Sequence, residues 1–175
     1  MDDKDCGRFP VRKNPRMKQI DYASVNYYFV TICTRDKRCI FGRPGQLNAM
    51  GKTAEYGMRS IADHFPGVRI DKFIIMPNHV HAIVVNEQQG TKLSVLIGQY
   101  KSYVSREIHK IQPNLKVWQT SFHDHVMRSQ KEYERIWLYI DANPANWEKD
   151  CFFTDKDEKP TASAGSLPRP TGETI

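Results

Sequence analysis

The segment FIIMPNHVHAIVV, residues 73–85, constrains this chain more than any other. It sets two imidazoles two residues apart in a run that otherwise reads as buried strand. Side chains alternate faces along a strand, so His79 and His81 point the same way, roughly 6 to 7 Å apart along the backbone, and both rings can converge on one ion. Met76-Pro77-Asn78 interrupts the apolar run with turn chemistry, because proline presets φ and asparagine tolerates left-handed geometry. Residues 73–76 and 79–85 are therefore expected to be two arms of a hairpin, with the histidines where the second arm begins. A His-X-His pair also occurs as ordinary polar residues at a sheet edge or as a satisfied core pair. Imidazole's affinity for divalent ions does not by itself choose between these readings.

A chain of 175 residues with 39% hydrophobic residues can bury the core that such a strand needs, in one domain with tails. No apolar run approaches the roughly 20 residues that span a bilayer. The N-terminal MDDKD is acidic and polar where a secretion signal would be basic and then apolar, so a soluble cytoplasmic protein is expected. Cys6, Cys33, Cys39 and Cys151 form no CxxC pair, and reduced thiols are the default expectation. The formal charge of +6 favours a polyanionic partner.

That charge is unevenly spread. Within residues 1–20 the stretch RFPVRKNPRMK carries Arg8, Arg12, Lys13, Arg16 and Lys18 with no acid, and two prolines oppose a continuous helix. A basic arm is expected, with Arg12, Lys13 and Arg16 gaining affinity for a nucleic acid backbone by counterion release. At the other end, residues 154–175 contain three prolines and little to bury, and are expected to form a disordered tail. Residues 21–153 are left as the folded domain.

Within it, YYFVTICT (27–34) is rich in aromatic and β-branched residues and reads as a strand, followed by the charged turn Arg35-Asp36-Lys37-Arg38. Asn48 is positioned to cap a helix reaching Phe65, where Pro66-Gly67 ends it. Residues 68–76 alternate and pair with the histidine strand, and Gly90 is expected to close that hairpin. Apolar residues at helical spacing predict a second helix over 93–111, with Lys101 off the apolar stripe. A strand is expected within 117–127, and then a third helix over about 131–143 that Pro144 stops. The order β-α-β-β-α-β plus a terminal helix predicts an α+β, ferredoxin-like fold: an antiparallel sheet with helices on one face and the last helix added to it.

In that last helix Tyr133, Ile136, Trp137 and Ile140 make the apolar stripe, while Tyr139 and Asn143, four residues apart, share one flank. An amphipathic boundary residue and a helix-ending asparagine account for the pair equally well.

Taken together, DYASVNYYFVTICTRDKRCIFG, MPNHVH, WQTSFHDHV and YIDANPANWEKD resemble, in order and spacing, the single-tyrosine HUH transposases, and among them the REP-associated tyrosine transposases. The resemblance runs from about Asp21 to Asp150. It implies that His79 and His81 bind a divalent ion, Mg²⁺ or Mn²⁺, that Asn143 completes the metal site, and that Tyr139 is the nucleophile. It also implies a metal-dependent single-stranded DNA endonuclease and strand transferase acting on hairpin or repetitive palindromic DNA through a 5′-phosphotyrosine intermediate. Such a protein would be a monomer or homodimer, near the nucleoid. DNA contacts are expected from Arg35, Lys37, Arg38 and Lys101, and from His125 of the WQTSFHDHV block. That block departs from the commoner pattern at Thr120-Ser121, where a basic residue is frequent.

Rivals exist. His123-Asp124-His125 is a second His-X-His, which periodicity alone does not rank below the first, and Tyr100 and Tyr103 are alternative nucleophiles. The alternative function is a hairpin-binding protein of the same fold that does not cut.

Overall fold

Tyr28, Val30 and Ile32 alternate with Tyr27, Phe29 and Thr31 along the first strand, and this period of two decides which side of the sheet carries the core and which carries the site. The computed structural model describes residues 26–87 and 91–154. The basic arm with Arg12, Lys13 and Arg16, the turn residue Gly90, and the tail beyond Thr154 lie outside the described residues.

β1 (Asn26–Cys33) is followed by a short hairpin of β2 (Gly42–Arg43) and β3 (Gln46–Leu47), then by α1 (Ala49–Ser60). β4 (Val68–Ile75) and β5 (His79–Asn86) form the expected hairpin. α2 (Leu93–His109), β6 (His123–Met127) and α3 (Gln130–Ala142) complete the order. The main sheet has the order β4-β5-β1-β6 with every pairing antiparallel. The first strand is thus central, beside the third, as the split βαβ pattern predicts.

Asn48 caps α1 by accepting a hydrogen bond from the Gly51 amide at 2.9 Å. The helix expected to reach Phe65 ends at Ser60 and continues as a 3-10 turn, Ile61–His64, before the predicted Pro66-Gly67 stop. α1 and α2 cover the face presented by Tyr28, Val30, Ile32, Val80, Ala82 and Val84. They approach closely because Gly57 has no side chain: a Cβ there would come within 2.9 Å of the Tyr103 ring.

α3 lies on the other face, where Ile136 and Ile140 bury against Phe29, Ile83 and Val85. Each of these two isoleucines contributes about 1.5–3 kcal/mol by leaving water. The helix starts at Ser129, whose hydroxyl accepts from the Glu132 amide at 3.2 Å, while the Glu132 carboxylate accepts from the Arg128 amide at 2.9 Å.

An irregularity in β4 holds α3 in place. Ile70 pairs with Val84 and Lys72 with Ile83, so Asp71 is an extra residue, a β-bulge. Asp71 accepts a hydrogen bond from the Tyr133 hydroxyl and pairs with Arg69. The Lys72 ammonium sits 3.6 Å over the Trp137 ring and 2.5 Å from Asp141. Three residues of α3 are therefore tied to the bulge.

Among the cysteines, Cys33 and Cys39 are free thiols, whereas Cys151 is disulfide-bonded, which corrects the expectation that all the thiols are reduced. No helix among the described residues is long and apolar enough to cross a membrane.

Candidate functional site

Strand register builds the site. His79 pairs with Cys33 and His81 with Thr31, all on the sheet face that α3 covers, and both imidazoles are completely buried. Their ring centroids are 4.4 Å apart.

A clasp orients the first ring. The Asn78 amide donates to the carbonyls of Lys37 at 3.0 Å and Phe152 at 2.7 Å, so its Oδ1 is the atom facing His79 Nδ1 at 2.9 Å. Nδ1 must then carry the proton, and Nε2 keeps its lone pair. That Nε2 is buried with no hydrogen-bond partner among the described residues.

His81 is held differently. Its Nδ1 lies 2.9 Å from the Thr31 hydroxyl and its Nε2 lies 3.3 Å from the Tyr139 hydroxyl. The single phenolic proton is directed to Asp150 Oδ2 at 3.3 Å, so His81 Nε2–H supplies the other hydrogen and Thr31 donates to Nδ1. A hydroxyl can donate or accept, so Thr31 also suits the opposite tautomer, with the Nε2 lone pair exposed to the site.

Tyr139 and Asn143 share the flank of α3 that their spacing predicts, and both meet Asp150. Asn143 Nδ2 donates to Asp150 Oδ2 at 2.8 Å, leaving its Oδ1 buried and without a partner among the described residues. Asp150 is held by the chain turning back on itself: Pro144–Lys149 form a 3-10 turn, and the Phe152 amide donates to Asp150 Oδ1 at 2.7 Å.

The electrostatics follow from burial. Desolvation, with a smaller contribution from Lys37, lowers the His79 pKa to about 3. His81 is also held well below its ordinary value, by burial first and then by His79. Both rings are neutral at pH 7 and have lone pairs to give. Tyr139 is pushed above the ordinary phenol value by burial and by Asp150, with Asn143 acting in the opposite direction. The phenol is therefore protonated at neutral pH and needs an acceptor for its proton.

These residues fit a divalent cation. One ligand atom each from His79, His81 and Asp150 lie within 4.8 Å of one another, and Asn143, whose Nδ2 meets Asp150, has an unpartnered buried Oδ1. Leaving a nitrogen and an oxygen buried and unpaired costs roughly 1–3 kcal/mol each, a cost that a bound ion would remove. Two nitrogens and two oxygens make a set of intermediate hardness.

The remaining sequence expectations fall in several places. The Lys37 ammonium lies 5.2 Å over the Phe152 ring, which itself packs on His79 with centroids 4.7 Å apart. Arg35 is 3.2 Å from Asp36 and lines an open cavity of about 620 Å³ with Lys101, Lys116 and Trp118. Arg38 is exposed. Lys101 donates to the carbonyls of Gln119 at 2.5 Å, Thr120 at 3.2 Å and Ser121 at 3.4 Å, and so holds the loop that departs from the commoner pattern. His125 lies on the site face, opposite Phe29, with its Nε2 2.6 Å from Glu132.

The rival tyrosines lie on the other side of the sheet. Tyr100 is fully buried and donates to the Ala54 carbonyl at 3.1 Å, and Tyr103 packs against Gly57. Asp150, Asn78 and Thr31 were not singled out from the sequence. Asp150 closes the YIDANPANWEKD block, but its reach back to Asn143 depends on the 3-10 turn between them.

Residues 22–143 match the family described as Transposase IS200 like. An uncharacterised protein of Haemophilus influenzae is 33% identical over 169 residues, covering 82% of this chain and 94% of that one. Two solved structures share the fold. The REP-associated tyrosine transposase bound to a REP hairpin superposes with a TM-score of 0.61 at 19% identity, covering 75% of this chain and 74% of the other. A putative transposase from Deinococcus radiodurans does so with a TM-score of 0.50 at 17% identity, covering 74% and 98%. This chain belongs to the IS200-like transposase family.

Proposed function

We propose that the protein is a metal-dependent single-stranded DNA endonuclease and strand transferase that works on hairpin DNA through Tyr139. The observation that carries this reading is the meeting of the Tyr139 hydroxyl with His81 and Asp150, 3.3 Å from each, beside the unpartnered Nε2 of His79. Family membership and the hairpin bound by the REP-associated relative support the choice of substrate.

His79 and His81, with Asn143 and Asp150, would hold the divalent ion, Mg²⁺ or Mn²⁺. Once bound, such an ion supplies Lewis acidity toward a non-bridging phosphate oxygen. Tyr139 then attacks phosphorus while its proton passes to Asp150 Oδ2. The tyrosine O–P bond forms, the P–O3′ bond breaks, and the departing 3′-oxygen takes up the proton. The product is a 5′-phosphotyrosine and a free 3′-hydroxyl. An aryl oxygen leaves more readily than an alkyl one, so a new 3′-hydroxyl can reverse the step and join a different strand without external energy. The groups that do this chemistry all come from one chain.

The test is to incubate the protein with a labelled hairpin library and Mn²⁺ and look for an adduct that survives denaturant. An adduct lost in Tyr139→Phe is expected. DNA binding without any adduct would leave a hairpin-binding protein instead.

A further inference from the structure

At the far end of α3 from the site, on the same face of the sheet, Tyr27, Tyr133, Arg69, Arg128, Ser129 and Gln130 line a cavity of about 460 Å³. No carboxylate lines it. Tyr27 is 41% exposed and meets Tyr133 edge to face, with centroids 5.8 Å apart and planes at 82°. The Tyr133 hydroxyl is committed to Asp71, and Arg69 is committed to Asp71 and, at 3.4 Å, to Glu87. By contrast, the Arg128 side chain is exposed and has no partner among the described residues. A fixed aromatic pair, an open cation, a hydroxyl and an amide make up a site for a flat ring with an anionic group attached.

Nucleotides have that chemistry. Bases stack on aromatic side chains regardless of sequence, and cations track the backbone between them. The cavity also lies where a strand leaving the site would pass. Tyr133 and Tyr139 are six residues apart on α3, about 9 Å at 1.5 Å per residue. That distance spans two or three nucleotides of a strand stacked at the duplex spacing of about 3.4 Å each. On the β6 side Glu132 of α3 reaches His125 at 2.6 Å, between the two tyrosines. α3 packs over β4 and β5, and the register sets His123 beside Thr31 and His125 beside Phe29, half-buried on the same face.

We propose that this cavity receives the base and phosphate of a single-stranded nucleotide two or three positions from the phosphate that Tyr139 attacks. The base stacks on Tyr27 and the phosphate meets Arg128. The proposal rests on the transposase reading above, and it adds where the strand beside the cut is held.

The experiment is fluorescence anisotropy on hairpin oligonucleotides carrying oligothymidine flanks of zero to six nucleotides on either side, with EDTA present so that no strand is cut. Affinity for one flank should step up about five- to hundredfold as the flank reaches two or three nucleotides, the range of a single stacked base. Arg128→Ala and Tyr27→Ala should each remove most of that step while leaving affinity for the flankless hairpin within about twofold. An abasic nucleotide at the same position should remove it from the wild-type protein and have no further effect in Tyr27→Ala, the non-additivity of a shared contact. A step that survives both substitutions, or no step on either flank, would overturn the proposal. Adduct formation by Tyr139 on the same oligonucleotides with Mn²⁺ reads the underlying function separately. An adduct without a step refutes only this subsite, and a step without an adduct refutes only the catalytic reading.

Discussion

The Tyr139 hydroxyl and the Asp150 carboxylate face each other at 3.3 Å across the point where α3 gives way to a 3-10 turn, and Asn143 bridges to the same carboxylate oxygen at 2.8 Å. Asp150 is the carboxylate within reach of a proton that the buried phenol does not release unaided. Asp150→Asn should therefore slow adduct formation by about 10²–10⁴-fold, with hairpin affinity within about twofold. Single-turnover rates on a labelled hairpin provide the check, and an unchanged rate would remove Asp150 from the proton transfer.

Tyr139→Phe deletes one oxygen and its hydrogen bonds, the long ones to His81 and Asp150 among them, while keeping the ring against Phe29, whose centroid is 6.1 Å away. Cleavage and adduct should disappear, and stability should change by no more than about 1.5 kcal/mol. Urea melts and a denaturing gel measure the two effects. A persisting adduct would move the nucleophile elsewhere.

His79→Ala should abolish Mn²⁺ binding measured by calorimetry while leaving hairpin binding largely intact, because the proposed role of the ion is on the reacting phosphate. Asn78→Ala should weaken Mn²⁺ by about 10–100-fold, the usual effect of removing a partner that orients a metal-ligating imidazole. Equal affinity in wild type and Asn78→Ala would show that His79 is held by packing alone.

Acid should destabilise the metal-free protein. An unfolded chain takes up a proton on each histidine near pH 6.5, whereas folded His79 resists until about pH 3 and folded His81 is depressed in the same direction. Between those limits the unfolded state holds more protons, so stability is full above pH 6.5 and falls as the pH drops. The slope is roughly 1 kcal/mol per pH unit for each ring. Urea melts in EDTA at pH 7.5 and 5.5 measure it, and His79→Ala should remove part of the slope. A flat profile would contradict the burial of neutral rings.

Much of this arrangement was legible in the chain because it depends on period and register. Alternation set His79 and His81 on one face, the four-residue spacing set Tyr139 beside Asn143, and Asn48 and Pro144 marked the ends of helices. The parts that were not legible depend on turns. Asn78 reads as turn chemistry, yet its amide also locks a tautomer, because the carbonyls of Lys37 and Phe152 arrive from stretches 41 and 74 residues away. Asp150 reads as a charged residue after a helix, and only the compact turn before it brings it under Tyr139. Periodicity also left His123 and His125 equal to the first pair. Glu132, reaching His125 from α3, separates them in the folded chain.

The supernumerary residue in β4 has a mechanical consequence. Because Asp71 and Lys72 both moor α3, the strand's departure from regular pleating sets the aim of the phenol some distance away. Deleting Asp71 would leave Lys72 opposite Ile83 but flatten the bulge and take away the carboxylate that holds Tyr133 and Arg69. The aim proposed for Tyr139 is therefore vulnerable at an edge strand that contributes no group to the candidate site, where the loss of one aspartate would loosen α3 with His79, His81, Asp150 and the tyrosine itself still present.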